Sequence, residues 1–408
     1  MSDLRLALSY LRHRILVTIL TIVSVALGLG LAIAVLTLSA QTRNALGNET
    51  AFADIVIGGK GGPLQLVLNT LYYLDAPTGN IPLSLWQKMK DDPAVSSVIP
   101  LNMGDNFFGA PIVGTVPEFF EGRKALRDRP LIAAGAMFAK PFEAVVGADV
   151  AHRQGLALGQ QIIGAHGWGK SDDFHPQFPY TVVGILSSTG SSVDRAVYTD
   201  YHSTWVVHSH PDEDEKAEQL ASGHDPTKEI TALLVRLKQP GRRFLMVQDI
   251  NLHEQANAVV PVDQINKIVT VFIAPLQGLL LLVAYLVILV AGLTILISLY
   301  LTIHQRRRDI AITRALGATR GDVFRLISFE AAALAGFGVA FGWVWGHALV
   351  GLLAGPIMSR FGIFPAAWHT QPIELAVAAS VWALGIAAGL LPAVIAYRLP
   401  VVDTLVKE

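Results

Sequence analysis

Four long stretches of this chain contain no Asp, Glu, Lys or Arg: Ile15–Thr42, Ile268–Ile303, Ala331–Ser359 and Leu375–Tyr397. About 20 apolar residues in a helix cross a hydrocarbon core of ~30 Å. Backbone amides have no partner in lipid except one another, so a stretch of this kind must be helical. Each of the four is long enough. The first is also longer than the 7–15 residues of a signal-peptide core, and it reads as an uncleaved anchor. The expected fold class is a membrane protein with four transmembrane α-helices. Spans two to four lie at about 268–303, 326–358 and 373–397, and a large α+β extracytoplasmic domain is inserted between helices 1 and 2.

Composition narrows the function. Of 408 residues, 52% are hydrophobic and 15% charged, against about 25% charged in soluble domains. A net charge of −1 offers no general attraction to a phosphate backbone, so nucleic acid is not an expected partner. The absence of Cys removes disulfides, thiolate catalysis and Cys-ligated metal. Arginine sets the orientation. Arg5, Arg12 and Arg14 precede span one. Arg306, Arg307, Arg308, Arg314, Arg320 and Arg325 lie between spans two and three, and Arg398 and Lys407 follow span four. The link between spans three and four has only Arg360. Both tails and the second link are therefore expected in the cytoplasm, with residues 43–267 outside.

Residues 43–267 read as a folded α+β domain. β-Branched runs bounded by Gly and Pro mark strands at Asp54–Ile57, Ala110–Val113, Ala144–Val146, Gln160–Ile163, Tyr180–Ile185, Ala196–Tyr198 and Ala232–Leu237. Leu83–Lys90 reads as a helix, and Pro261–Thr270 as a helix entering span two. A continuous helix over Ile268–Ile303 would be about 54 Å long. Its excess over the membrane thickness implies tilt and an outward stalk.

Several segments carry the residue types of chemical motifs. Gly164 to Ser171 fits the string G-x-x-x-x-G-K-[ST], but Asp172, Asp173, Pro176 and Pro179 follow it. A phosphate loop needs a helix there, so the match reads as chance. The polar loop His208–Asp225 holds His208, His210 and His224 beside Asp212, Glu213, Asp214 and Glu215. These three imidazoles are candidate Zn²⁺ ligands; the competing reading is a solvated acidic loop. No other cofactor is expected, and no nucleophile elbow or other catalytic signature is present. Within the spans, His347 reads as a side chain satisfied by a neighbouring helix, and Glu330 as interfacial. Gly338, Gly342 and Gly346, with Gly336 nearby, place small residues at helical spacing and favour close helix contact.

The link after span two is the most informative segment. Arg308 to Leu316 has helical spacing, with Ile310, Thr313 and Leu316–Gly317 on a shared face. Gly317 is suited to end that helix and Asp322 to start the next. The string Arg307-Arg308-Asp309-Ile310, then Arg314-Ala315-Leu316-Gly317-Ala318, then Phe329-Glu330-Ala331 resembles the signature of the FtsX/MacB/LolC-type ABC transporter permeases, the type VII or mechanotransmission family. Asp309 stands where that family has Glu, and Ala311 where it has Gly. Val145–Ala151, Gly155–Gln160 and Tyr180–Leu186 are similar to segments of the family's periplasmic core domain.

The resemblance implies three regions: 1–42 as a cytoplasmic tail with span one, 43–267 as a MacB-like periplasmic core domain, and 268–408 as an FtsX-like domain with a coupling helix at about 306–318. It implies a bacterial cytoplasmic-membrane permease with no nucleotide site of its own. Two separate ATPase subunits would be its partners, with a second permease copy, identical or paralogous, the surrounding lipids, and a periplasmic adaptor or substrate-binding protein. Arg307, Arg308, Asp309, Arg314, Leu316 and Gly317 would form the ATPase-coupling contact. The expected activity is ATP-driven movement of the outer domain that exports or extracts a substrate. The alternatives are a non-transporting regulator of a periplasmic enzyme and a zinc-handling permease that uses the His-rich loop.

Overall fold

The computed structural model describes residues 15–169, 173–207, 229–361 and 365–398. The chain divides into two compact units. One comprises Met1–Gln41, Phe272–Gly355 and Pro365–Glu408; the other comprises Thr42–Val271 with Pro356–Phe364. Helix α1 (Ile15–Thr50) belongs to both by chain continuity.

The second unit is a mixed α/β domain. Its elements follow in the order β1 (Ile55–Gly58), α2 (Pro63–Tyr72), β2 (Ile81–Pro82), α3 (Leu83–Asp91), β3 (Val95–Phe107), β4 (Ala110–Thr115), β5 (Ile132–Gly135), β6 (Glu143–Val146), α4 (Ala148–Gln154), β7 (Gln161–Ile162), β8 (Ala165–His166), β9 (Tyr180–Leu186), β10 (Val197–Asp200), α5 (Tyr201–Val207), β11 (Glu229–Ile230), β12 (Ala232–Leu237), α6 (Arg243–His253), β13 (Asn257–Val259) and α7 (Pro261–Ile268). Eleven strands form one sheet, ordered β13-β1-β12-β3-β4-β10-β6-β9-β5, with β7 on β9 and β8 on β3. The pairs β10–β4 and β6–β9 are parallel and the others antiparallel.

Two apolar clusters hold this sheet. Ile55, Ile57, Leu233 and Val235 pack with Trp86 and Met89 of α3. Ile112, Val146, Val182 and Val197 pack with Val150 of α4. The strands expected from apolar runs are present within one or two residues at each end. Strand β3 was not expected. Pro100 and Gly104 interrupt its residue pattern, and a bulge between Met103 and Asp105 shifts its register. Such a bulge re-aims the side chain beside it, here Asp105.

One charged pair lies inside this unit. Glu49, in the last turn of α1, accepts from Arg123 Nη1 at 3.0 Å, and both side chains are 4% exposed. Arg123 Nε donates to the Phe119 carbonyl at 3.1 Å, and its guanidinium lies over the rings of Phe52 and Phe119. The Tyr72 hydroxyl donates to the Leu46 carbonyl, one turn earlier in α1. Asp194 is also fully buried. Burial pushes its carboxyl up, while donors from Thr189, Gly190 and Ser188 draw it back.

The other unit contains α8 (Ala274–Gln305), α9 (Arg307–Ala315), α10 (Arg320–Phe361) and α11 (Pro372–Tyr397) with the membrane part of α1. Among the described residues, four helices are long and apolar enough to cross a membrane: Ile15–Thr50, Pro261–Gln305, Arg320–Met358 and Pro372–Tyr397. Two details differ from the sequence reading. Span two is not a uniform α-helix from Ile268: a π-helical turn covers Val269–Ile273 ahead of α8. Pro275 explains it, because its ring has no N–H and crowds the carbonyl four residues earlier. The helix that contains span three begins at Arg320, and Asp322 is not its cap. Thr319 Oγ1 accepts from the Asp322 amide at 3.2 Å, and Asp322 Oδ2 accepts from the Thr319 amide at 2.9 Å. This is a reciprocal capping box.

Substituting Arg123→Met leaves Glu49 buried without its cation, a loss of about 3–5 kcal/mol. Urea unfolding of the purified protein should show it. The double substitution Arg123→Met/Glu49→Met should recover most of the loss.

Candidate functional site

The arginine-rich link folds into a tight elbow between α8 and α10. Only Arg306 separates α8 from α9, and the amide ladder barely breaks: Arg306 N donates to Thr302 O at 3.0 Å and Ile310 N to Arg306 O at 2.9 Å. Gly317 closes the far end at φ +111°, a region that disfavours a Cβ. The Ala318 amide then returns to the Thr313 carbonyl at 3.2 Å.

Helix α9 has two unlike faces. Ala311 is buried, and Ile310 packs with Ile303, Val323 and Ile327 of the flanking helices. The expected apolar face needs correction, because Leu316 does not share it. Leu316 is 84% exposed and Ile312 43% exposed, and Ala311 takes the inward position. Leu316 lies past the last turn, beside the reversal at Gly317, which turns it outward. Arg307 and Arg308 are exposed, Arg307 Nη2 meeting His304 Nε2 at 2.8 Å, while Arg314 is half-buried. Asp309 and Thr313 line a small pocket with Thr302, Arg306, Ile327 and Glu330. Glu330 is buried there.

Spans one and three meet along their small residues. A Cβ on Gly338 would lie 2.5 Å from Val25 Cβ, one on Gly342 3.0 Å from the Ala26 backbone, and one on Gly346 2.8 Å from the Gly30 carbonyl. Span four approaches span three in the same way. A Cβ on Gly385 would come within 2.4 Å of Ala335 Cβ, and one on Gly389 within 2.2 Å of Ala331 Cβ.

The same bundle buries a polar group that the sequence reading saw only in part. His347 Nε2 lies 3.1 Å from Glu374 Oε2, and His347 Nδ1 lies 2.6 Å from the Ala367 carbonyl. Glu374 Oε1 accepts from Thr37 Oγ1 at 2.9 Å. All three side chains are fully buried, and Trp343 and Trp368 flank the imidazole. Gln41 pairs with the backbone of Ala366 through both its amide atoms. Spans one, three and four are thereby tied by hydrogen bonds.

Comparison with known proteins settles the class. Residues 18–250 match the family model of the MacB-like periplasmic core domain, and residues 281–401 match that of the FtsX-like permease C-terminal domain. The chain belongs to the MacB/FtsX-type ABC transporter permeases. The permease is also similar to the periplasmic region of MacB from Actinobacillus actinomycetemcomitans, at 15% identity and a TM-score of 0.33 over 53% of this chain and 92% of that one. A second likeness is to the extracellular domain of the noncanonic ABC-type transporter YknZ from Gram-positive bacteria, at 10% identity and a TM-score of 0.28 over 50% and 98% of the two chains. Among curated proteins none matches.

The proposed Zn²⁺ ligands His208, His210 and His224 lie outside the described residues, as do Arg5, Arg12, Arg14 and Lys407. In the described part of the segment that mimics a phosphate loop, Ala165–His166 form a strand, and no helix is present among described residues 173–179. Glu374 was overlooked because it sits one residue outside the charge-free block. Its place in the first turn of span four, after Gln371-Pro372, was the available signal.

Substituting Gly342→Val in the permease forces span one away from span three, a loss of about 1–3 kcal/mol or more. Its melting temperature in detergent should fall. Gly278→Ala, where nothing lies within 4 Å of the added Cβ, should leave it unchanged.

Proposed function

We propose that the permease couples ATP hydrolysis by two separate cytoplasmic ATPase subunits to movement of its outer domain, and so exports or extracts a substrate from the periplasm or the membrane. The observation that carries this reading is the outward face of α9. Arg307, Arg308, Ile312 and Leu316 are exposed together on a short helix whose other face is anchored in the bundle. Arg308, Ile312 and Leu316 follow one another at four-residue spacing, and exposed apolar side chains with arginine are the composition of a protein contact. Asp309 and Arg314 shape the base of that contact, and Gly317 fixes its exit. A second permease copy, identical or paralogous, completes the transmembrane unit, and a periplasmic adaptor or binding protein delivers cargo.

In this reading the chain itself performs no catalysis. It sits in the bacterial cytoplasmic membrane with both termini inside, as the distribution of arginines supports. The chain connections between the units include α1 and the run from α7 through the π turn into α8. A stroke on α9 would travel by these helices to the outer domain.

The test begins with co-purification. An ATPase subunit should accompany the permease, and its ATP hydrolysis should depend on it. Leu316→Asp and Arg308→Glu should lower that hydrolysis about 10- to 100-fold, as loss of an interface anchor of about 1–3 kcal/mol would, with the melting temperature unchanged. Unchanged activity in both variants rejects α9 as the contact. Orientation has its own check, since the chain contains no Cys. An impermeant maleimide should label Ser96→Cys in spheroplasts, and label Leu316→Cys only after the membrane is opened.

A further inference from the structure

Three side chains able to bind metal converge within the outer domain. Asp105 stands on β3 just past its bulge, 1% exposed. His166 is its cross-strand partner on β8. His175 returns to the same place because its amide donates to the Gly164 carbonyl at 3.0 Å, across the bridge between Ala165 and Phe174. His166 Nδ1 lies 3.5 Å from Asp105 Oδ1, and His175 Nε2 lies 3.9 Å from the same oxygen. One ligand atom from each residue falls within 4.8 Å of the others. The two imidazole planes stand at 80°.

These separations suit a shared cation. Zinc takes imidazole and carboxylate ligands at about 2.0–2.2 Å, and tetrahedral geometry then sets ligand atoms about 3.3–3.6 Å apart. The rings therefore need only small rotations to meet one ion. Two nitrogens and one oxygen exclude Ca²⁺ and Mg²⁺, which take oxygen ligands, and favour a divalent transition ion.

The scaffold is rigid where such a site needs it. Asn106 donates from its amide to the Ala165 and Gly167 carbonyls at 3.2 and 3.0 Å. The Gly167 amide donates to the Gly104 carbonyl at 2.8 Å. A Cβ on Gly164 would lie 2.9 Å from Ile112 Cδ1, so the turn sits directly on the core. These contacts clamp the hairpin to β3 and fix the spacing of the three ligands.

We propose that Asp105, His166 and His175 form an exchangeable site for a zinc-class divalent transition ion on the outer domain of the permease. Three protein ligands leave a coordination position open. The His166 side chain is 55% exposed, so the ion is reached from solvent and is not sealed in as a structural zinc would be. Binding would staple the segments that carry His166 and His175 to β3. The site does not depend on the ATPase contact proposed above, and neither test bears on the other.

The full-length purified permease, freed of metal, is titrated with ZnCl₂ in a calorimeter and with Co²⁺ by visible absorption. One equivalent should bind saturably at micromolar concentration or tighter, and Co²⁺ should develop the d–d bands of a low-coordinate nitrogen–oxygen site. His166→Ala, at an exposed position that folding tolerates, should weaken binding about 10-fold or more. His166→Ala/His175→Ala should abolish the Co²⁺ bands. A variant carrying His208→Ala, His210→Ala and His224→Ala should keep them. No saturable binding, or binding unchanged in the His166→Ala/His175→Ala protein, overturns the proposal. So does binding lost only in the His208/His210/His224 variant.

Discussion

The bundle depends on backbones coming close. Between helices in lipid there is little hydrophobic gain, since the acyl chains are as apolar as Leu, and association rests on packing and on a few hydrogen bonds. The chain answers with glycine. Gly338, Gly342 and Gly346 admit Val25, Ala26 and Gly30 of span one, and Gly385 and Gly389 admit the methyl groups of Ala335 and Ala331. With the helices in such contact, Thr37, His347 and Glu374 reach one another directly. If glycine did not let the helices approach, that polar group would have to be hydrated or would be left unsatisfied in an apolar medium, which is costly. Close packing and the buried hydrogen bonds therefore support each other.

The outer unit uses the same economy of buried polarity. Glu49 and Arg123 are removed from water together, and the guanidinium is further held by a carbonyl and two aromatic faces. A buried ion pair adds little net stability against an apolar substitute, but it specifies one arrangement strongly, because either partner alone is intolerable. Its position at the end of α1 fixes how that last turn seats among Phe52, Phe119 and Tyr72. The helix terminus is thus part of the domain's interior and not a loose tether.

What the sequence revealed follows from which signals are local. A charge-free block is a property of consecutive residues, so the spans could be read, and so could strands such as Ala232–Leu237, whose residues are apolar but for Arg236. Strand β3 could not, because Pro100, Gly104 and polar residues occupy it and its identity comes from neighbours β12 and β4. The arginine elbow stood out by composition, but the outward turn of Leu316 depends on where Gly317 reverses the chain. Glu374 reads as an ordinary first-turn acid until His347 is brought to it from another helix. Asp105, His166 and His175 belong together only through strand register and a hairpin, and no spacing rule joins them. The His208–Asp225 loop drew notice because its residues are adjacent, which is a statement about sequence and not about geometry.

The proposed coupling would place a load on the elbow, and the construction of the elbow suits it. A helix–loop–helix joined by several flexible residues would absorb a push by bending. Here a single residue, Arg306, separates α8 from α9, and its amide and carbonyl both stay in hydrogen bonds that continue the helical ladder. On the other side the reciprocal Thr319–Asp322 cap holds the start of α10. Ile310 and Ala311 press α9 onto Ile303, Val323 and Ile327, so the short helix shares a core with both flanking spans. A load placed on its exposed arginines and Leu316 has no slack to take up before it reaches α8. The segment where α8 begins is different. The π turn at Val269–Ile273 is a local departure from the α ladder, and it lies at the junction of the two compact units. Under the proposed coupling, stiffness at the elbow and a break in regularity at the π turn would make that turn the place along this connection where displacement becomes bending.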